Sequence, residues 1–596
     1  MTTRPARAPL APRTLLVLAA VAVGFAAADT YVVVLALPDM MASVGLNIDE
    51  LQRAAPIVSG FLLGYIAMLP LIGRIADLRG RVPVLVGSLV IFSVGSLVTA
   101  AEYDLGSMVV GRFLQGVGGG GLVPATLALV ADIWVVEQRG VPLGVVGAVQ
   151  ELGSVVGPLY GAVVLSVSTW HTIFWINLAV GLVLAAALVA LSSRRGPSTV
   201  SPDAGERAGP RPDVIGAALA TGAITALGLV LVAPERLTTG LTTGRAYIPY
   251  AGDSRWSTPM AMATGVLTAA FLVRVLTAAR PLVNLRAARD VARSADLVGA
   301  ALLGLTLAGI VLAFATADPE VQVFSPAGPY FLAGSAAGAG LFWWRQRRAA
   351  APLIPRQALA HPAAWGSLAV SFFVGSSLIA ALVDIPIFAR VTVFPDSQLS
   401  AALVLVRFLA ALPIGALLGG YLSRRFDVGV LAAAGMLLAA AAFVWMAQWD
   451  RTSLDHWPAS IPLVLGGLGF GIAIAPVNAG LLASTETAVH GIASALLVVA
   501  RMIGMLVGIS ALTTIGLRRF YAVSATRPTI DEACPTGKIC DAYIDALKDA
   551  GVAQMHAIFW GAAAAAVVAA GLALLLLRHR TLPQDVQEPA IGRFGL

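Results

Sequence analysis

The sequence predicts an all-α integral membrane protein, and three observations carry that prediction. Its 596 residues are 58% hydrophobic and only 12% charged, with mean hydropathy +0.85, against about 25% charged in an ordinary soluble domain. The apolar residues fall in runs of about 20, the length that crosses a hydrocarbon core. None of these runs shows the two-residue alternation of a membrane barrel, so each must satisfy its backbone internally as a helix.

Sixteen such runs are found, at 14–37, 54–73, 82–101, 107–129, 141–166, 171–191, 213–233, 258–279, 296–316, 328–344, 364–392, 399–422, 428–448, 461–483, 491–516 and 553–577. Fourteen spans is the alternative count. Arg4, Arg7 and Arg13 lead straight into the first run, which is long enough to span the membrane, so no cleavable signal peptide is expected.

The loops assign a side to each end. Arginine gathers on one side, at Arg79 and Arg81, Arg139, Arg194 and Arg195, Arg286 and Arg289, Arg345, Arg347 and Arg348, Arg424 and Arg425, and Arg578. The loops on the other side are short or acidic, with Asp49, Glu50, Glu102, Asp104, Asp318 and Glu320. By the positive-inside rule both termini are expected in the cytoplasm of a cell-membrane protein. The net charge of +7 includes only two lysines, Lys538 and Lys548. Its arginines are spread over loops rather than gathered on one face, which argues against nucleic acid as a partner.

The chain divides into a six-helix bundle at 1–192, a polar Pro/Gly-rich linker at 193–212, four linker helices at 213–360, a second six-helix bundle at 361–580 with an outside loop at 517–552, and a tail at 581–596. Within the linker region "DVIGAALATGAITALGLVL" from Asp213 echoes "DLVGAALLGLTLAGIVLAF" from Asp296, and "ARPLVNLRAARD" echoes "AAPLIPRQALAH". A duplicated hairpin explains both echoes; convergence of two Ala/Leu/Gly-rich helices is the alternative.

Ionisable groups inside spans cost about 2.5 to 3.5 kcal/mol each on insertion scales, so they usually face a cavity or an opposite charge. The candidates are Asp29, Arg112, Glu151, Asp384, Arg407 and Arg501. Asp29 lies past the middle of the first span and Arg112 about five residues into a span descending from outside, which brings them to similar depth at 1.5 Å per residue. Glu151 and Arg501 each lie about ten residues into spans that start inside, so they share a level near the midplane, where substrate sites of two-halved transporters sit. Asp384 is the rough counterpart of Asp29 in the second half. For each, the alternative is a structural ion pair or a neutral buried acid.

Four stretches lie in order along the first six spans: "AADTYVVVLALP", "GRIADLRGR", "VVGRFLQGVGGGG" and "GSVVGPLYG". Together they resemble the signatures of the major facilitator superfamily, in particular its drug–proton antiporters with extra linker helices. The resemblance implies a fold of two six-helix bundles and assigns Gly73, Arg74, Asp77, Gly80 and Arg81 to a gate motif. It assigns Arg112 to proton coupling, Gly153, Gly157, Pro158 and Gly161 to a helix 5 antiporter motif, and Asp29, Thr30 and Pro38 to a helix 1 motif. More narrowly, "QELGSVVGPLYG", "FWIN", "LVDIPIF" and "HGIASALLVVARMIGML" are similar to mycobacterial exporters of triacylglycerols and drugs that work with a periplasmic lipid-carrying lipoprotein. Those exporters have two linker helices where this chain has four.

The resemblance implies a proton-coupled exporter of lipids or amphipathic drugs, monomeric, with no cofactor beyond the proton gradient and with Asp29, Arg112, Glu151, Asp384 and Arg501 as transport residues. A multidrug antiporter without a lipid role is the alternative, and a membrane scaffold or receptor-like protein the reading from a different class.

Other chemistries find little support. Gly116, Gly118 and Gly121 satisfy G-x-G-x-x-G but follow a membrane helix rather than a strand, so close helix packing explains them. No Walker lysine, metal-spaced histidine cluster or nucleophile constellation is present, and no enzyme activity is expected. Cys534 and Cys540 share the outside loop, where a disulfide can form.

Overall fold

The computed structural model describes residues 10–46, 51–135, 138–193, 213–240, 242–250, 254–278, 295–315, 327–355, 358–394, 398–527, 534 and 540–577. The linker 194–212, the "ARPLVNLRAARD" echo, most of the 528–539 loop and the tail 581–596 lie outside the described residues.

Among the described residues the chain is helical without strands, and sixteen helices have 19 residues or more. They are α1 (Leu10–Ser43), α2 (Leu51–Arg79), α3 (Arg81–Ala100), α4 (Leu105–Ile133), α5 (Gly140–Val167), α6 (His171–Ser193), α7 (Val214–Val232), α8 (Pro259–Thr277), α9 (Leu297–Ala315), α10 (Gly328–Arg348), α11 (Pro362–Thr392), α12 (Gln398–Leu422), α13 (Val428–Met446), α14 (Ser460–Ala483), α15 (His490–Ser524) and α16 (Asp541–Leu576). Fourteen of them are long and apolar enough to cross a membrane. α10 is outside that set by its composition. α10 ends on Arg345, Arg347 and Arg348, which place its last turn at an interface, and α5 packs between α1 and α12.

Several helices outrun the apolar segments that announced them. α15 reaches Ser524 rather than 516, and α16 starts at Asp541 rather than 553. Their polar ends are invisible to a hydropathy count but continue the helical hydrogen bonding. The ends are braced: Arg451, in the loop after α13, bonds Asp545 at 3.1 Å and Asp549 at 2.6 Å, and Arg527 reaches Asp549 at 3.3 Å. Cys534 and Cys540 are joined by a disulfide just before α16.

The two halves are packed alike. In the first, α1 lies on α5, α2 on α4, α3 on α4 and α3 on α6; in the second, α11 lies on α15, α12 on α14, α13 on α14 and α13 on α16. Small residues permit the close approaches. A Cβ on Gly118 would collide with the α3 backbone at Ser88 and Phe92, and one on Gly116 with the α2 backbone at Phe61, so this glycine run is a packing surface. The halves meet through α2 against α15 and α5 against α12.

The four linker helices form two hairpins, α7 with α8 and α9 with α10. Each is closed at one end by the same device. Asp213 accepts from Gly216 N at 3.0 Å and from Arg274 of α8 at 3.0 Å. Asp296 accepts from Gly299 N at 3.2 Å and from Arg345 of α10 at 2.9 Å. The first hairpin stands beside α3; the second packs on α2 and α15, along a seam between the halves.

Candidate functional site

At the arginine-rich end the halves are tied together. α2 ends at Arg79, and Gly80 turns the chain with φ +89°, a conformation that favours glycine, so that α3 begins at once with Arg81. That turn points Asp77 across the interface, where it caps the start of α15 by accepting from Gly491 N at 2.7 Å and Ile492 N at 2.9 Å. A carboxylate at a helix N-terminus answers both its unpaired N–H groups and its dipole.

Arg81 grips the same Asp77 at 2.6 Å, reaches Asp132 at 3.3 Å and donates to Thr487 O at 3.3 Å. Gly73 allows the approach, since a Cβ there would sit 2.6 Å from Gly491 O. Arg74 contributes no such bond, and its Nε finds no partner among the described residues. A further tie comes from Arg139, which gathers the last carbonyls of α4, Ala131 at 2.8 Å and Trp134 at 2.9 Å, and reaches Leu482 O of α14 at 3.4 Å. In sequence it read only as a loop arginine.

Deeper in the first half, Arg112 and Asp29 form a buried ion pair at 2.9 Å, each side chain 1% exposed. Around it stands a polar network: Arg112 also donates to Gln115 Oε1 at 2.8 Å, Gln115 donates to Ser96 at 2.8 Å, and Asn177 of α6 donates to Asp29 Oδ1. The guanidinium lies 4.5 Å from the Phe61 ring centre, a cation–π arrangement. Asn177 is not singled out by the sequence, because a lone Asn in an apolar span carries no charge signal; its partner is set by α1 and α6 packing together.

Between the halves lies a cavity of about 390 Å³. Glu151 of α5 enters it from the first half and Arg501 of α15 from the second, 8% and 6% exposed. Their charges act on one another and on Tyr65, which lines the same space. Most of the remaining wall is apolar, including Val23, Phe61, Leu378, Met502 and Met505; Thr30 and Gln150 add polar groups. The helix 5 glycines bring Glu151 here. A Cβ on Gly157 would lie 2.5 Å from Ala28 O, and one on Gly153 would collide with Gly24 O, so α5 lies directly on the α1 backbone beside Asp29. Gly161 is buried too; the side chain of Pro158 is outside the described set, and α5 runs as one helix through it. Gly157→Leu is therefore expected to cost on the order of 1–3 kcal/mol through overpacking, read as a lower Tm in detergent.

The other embedded charges stand apart. Asp384 is 6% exposed in α11 and makes no hydrogen bond or ion pair with any described residue. Arg407 lies within the apolar span Leu403–Leu422, but its side chain is exposed on α12 rather than turned into the bundle, and it donates to Ser460 Oγ at 2.9 Å, at the start of α14. Among the described residues no group of three metal-ligating side chains occurs.

Residues 19–345 match the family model of the Major Facilitator Superfamily. The chain belongs to the major facilitator superfamily. Proteins named triacylglyceride transporter resemble it over most of its length: one from Mycolicibacterium smegmatis is 34% identical over 96% of this chain and 89% of its own, and one from Mycobacteroides abscessus is 34% identical over 87% and 84%. A relative of that name from Mycobacterium tuberculosis is 32% identical over 85% and 82%. Among solved structures the fold matches a proton:xylose symporter, at TM-score 0.54 and 12% identity over 97% of this chain and 99% of the other. It also matches the human organic anion transporter MFSD10, at 0.51 and 15% over 95% and 100%. As a superfamily member this chain is a multi-pass membrane transporter rather than an enzyme.

Proposed function

We propose that this transporter exports a neutral lipid of the triacylglycerol type, driven by proton exchange and working by alternating access, with the arginine-rich face in the cytoplasm. The observation that carries the reading is the mid-membrane cavity between the halves, apolar over most of its wall yet holding one carboxylate and one guanidinium contributed by opposite halves. An apolar wall suits acyl chains, and an ionisable pair spanning the interface links protonation to the relative position of the halves. The names borne by the mycobacterial relatives support the same substrate class.

In this scheme the structure corresponds to the outward-facing stage, since the ties made by Asp77, Arg81 and Arg139 hold the arginine-rich end shut. Protonation of Glu151 weakens its attraction to Arg501, and protonation of Asp29 weakens the pair with Arg112; either change removes a reason for one arrangement of the halves. The polar ends of α15 and α16, on the far side, are where a lipid-carrying lipoprotein would receive the cargo. The protein acts as a monomer and needs no cofactor beyond the proton gradient.

The test is reconstitution into liposomes, with efflux of a fluorescent triacylglycerol and of an amphipathic dye followed under an imposed pH gradient. Lipid efflux is expected to collapse when an ionophore removes the gradient, and Glu151→Gln is expected to slow it at least tenfold. Efflux indifferent to the gradient would remove the coupling. Movement of dye but not lipid would instead establish a multidrug antiporter.

A further inference from the structure

Beside the first linker hairpin, away from the cavity between the halves, a second apolar space of about 460 Å³ opens among α3, α6 and α7. Its wall includes Val90, Leu97, Leu178, Leu182, Leu229 and Val232. Several of these are far from covered: Val90 is 36% exposed, Leu182 47% and Val232 40%. α7 meets α3 only lightly, so the hairpin stands off the bundle and leaves a groove within the membrane-crossing part of three helices.

The outer end of this groove is roofed by polar groups. Arg255, in the loop between α7 and α8, donates to Leu231 O at 2.7 Å, which fixes it on the last turn of α7. Its guanidinium lies 5.4 Å from the ring centre of Tyr103, just past the end of α3, and Trp256 Nε1 donates to the Tyr103 hydroxyl at 3.0 Å. The roof therefore bridges α7 and the end of α3, two of the three helices that form the groove. On the hairpin side Arg255 also lines a smaller cavity of about 230 Å³ with Thr238, Tyr247 and Thr258. The Tyr247 hydroxyl is buried there and has no hydrogen-bond partner among the described residues.

We infer that this groove and its roof form a binding site for an anionic phospholipid, with an acyl chain between α3, α6 and α7 and the phosphate held by Arg255 and the Tyr247 hydroxyl. A cleft of this size at membrane depth, apolar apart from the hydroxyls of Ser93, Thr221 and Thr225, favours hydrocarbon over water. A cation and an aromatic pair stand at the depth of the headgroups, where Trp and Tyr rings and snorkelling arginines reside. The guanidinium matches a phosphate, with which it makes charge-assisted bonds, and an unpaired buried hydroxyl supplies a second donor. A triacylglycerol has no charged head and gains nothing from Arg255, so the site differs in chemistry from the central cavity. The bound lipid fills the gap between hairpin and bundle and mortars α7 to α3.

The experiment uses the full chain in nanodiscs and a phosphatidylglycerol carrying a photoactivatable acyl chain, with phosphatidylcholine of identical chains and a photoactivatable triacylglycerol as comparisons. Phosphatidylglycerol is expected to label peptides covering 175–182 and 221–234 at least tenfold more than either comparison. Arg255→Gln should erase the preference over phosphatidylcholine, and Thr225→Trp, which fills the groove from an exposed position, should suppress labelling by both phospholipids. If Arg255→Gln does not fold, Tyr247→Phe takes its place with a several-fold loss of the preference. Labelling unchanged by Thr225→Trp, equal for the two phospholipids in the unaltered protein, or strongest for the triacylglycerol overturns the site. The readout is a labelling map, so it stands whether or not transport is proton-driven.

Discussion

Replacing Arg112 with Leu is expected to destabilise the protein by about 3–5 kcal/mol, because it strands the Asp29 carboxylate in a site where both side chains are 1% exposed. Asn177 donates to Asp29 but cannot neutralise it. Gln115 Oε1 also loses the 2.8 Å bond it accepts from Arg112. Removing both charges, in Asp29→Asn with Arg112→Leu, is expected to return most of that loss, since an uncharged pair demands far less of its surroundings. A thermal-unfolding cycle over the two single variants and the double variant measures the coupling directly. Efflux in the double variant separates the two roles of the pair. Recovered stability with transport still absent marks the charges as part of the cycle; recovered transport reduces them to a structural brace.

Asp77→Ala is expected to open the arginine-rich end. The change removes the cap on α15, two backbone N–H bonds at 2.7 and 2.9 Å, and leaves Arg81 with Asp132 and Thr487 O. Hydrogen bonds to a charged group contribute about 1.5–3 kcal/mol each. Losing one of them is enough to shift a two-state balance tenfold or more at 1.4 kcal/mol per decade. The structure offers a clean reporter, since both cysteines are bonded to each other and no free thiol competes among the described residues. A cysteine placed at Ser494, 1% exposed below the cap, should react with a polar maleimide at least ten times faster once Asp77 is replaced. An unchanged rate would mean that Arg81, Arg139 and helix packing hold this end shut without Asp77.

The helices were legible in the sequence because bilayer thickness sets one length scale, and the depth of Asp29 and Arg112 followed from counting residues at a fixed rise. Glu151 and Arg501 came to one level by the same arithmetic, although counting could not say that they share a cavity; that depends on Gly153 and Gly157 seating α5 on α1. What escaped is what hydropathy does not register. The polar turns that lengthen α15 and α16 look like loop, the carbonyl-gathering role of Arg139 depends on where α4 and α14 end, and Asn177 is informative only once α6 is placed beside α1. Arg407 has equally apolar neighbours in sequence, which say nothing of which way its helix faces; its side chain turns away from the bundle toward Ser460.

The Asp–Arg clasps of the two linker hairpins bear on how such a chain can grow. Asp213 with Arg274 and Asp296 with Arg345 close each helix pair on itself, so each pair is a self-contained module that sends the chain back to the side from which it came. Inserting or deleting one changes the number of crossings by two and leaves the parity, and hence the orientation of everything downstream, untouched. A transporter built this way can gain or shed a hairpin in one genetic step without turning its second half upside down.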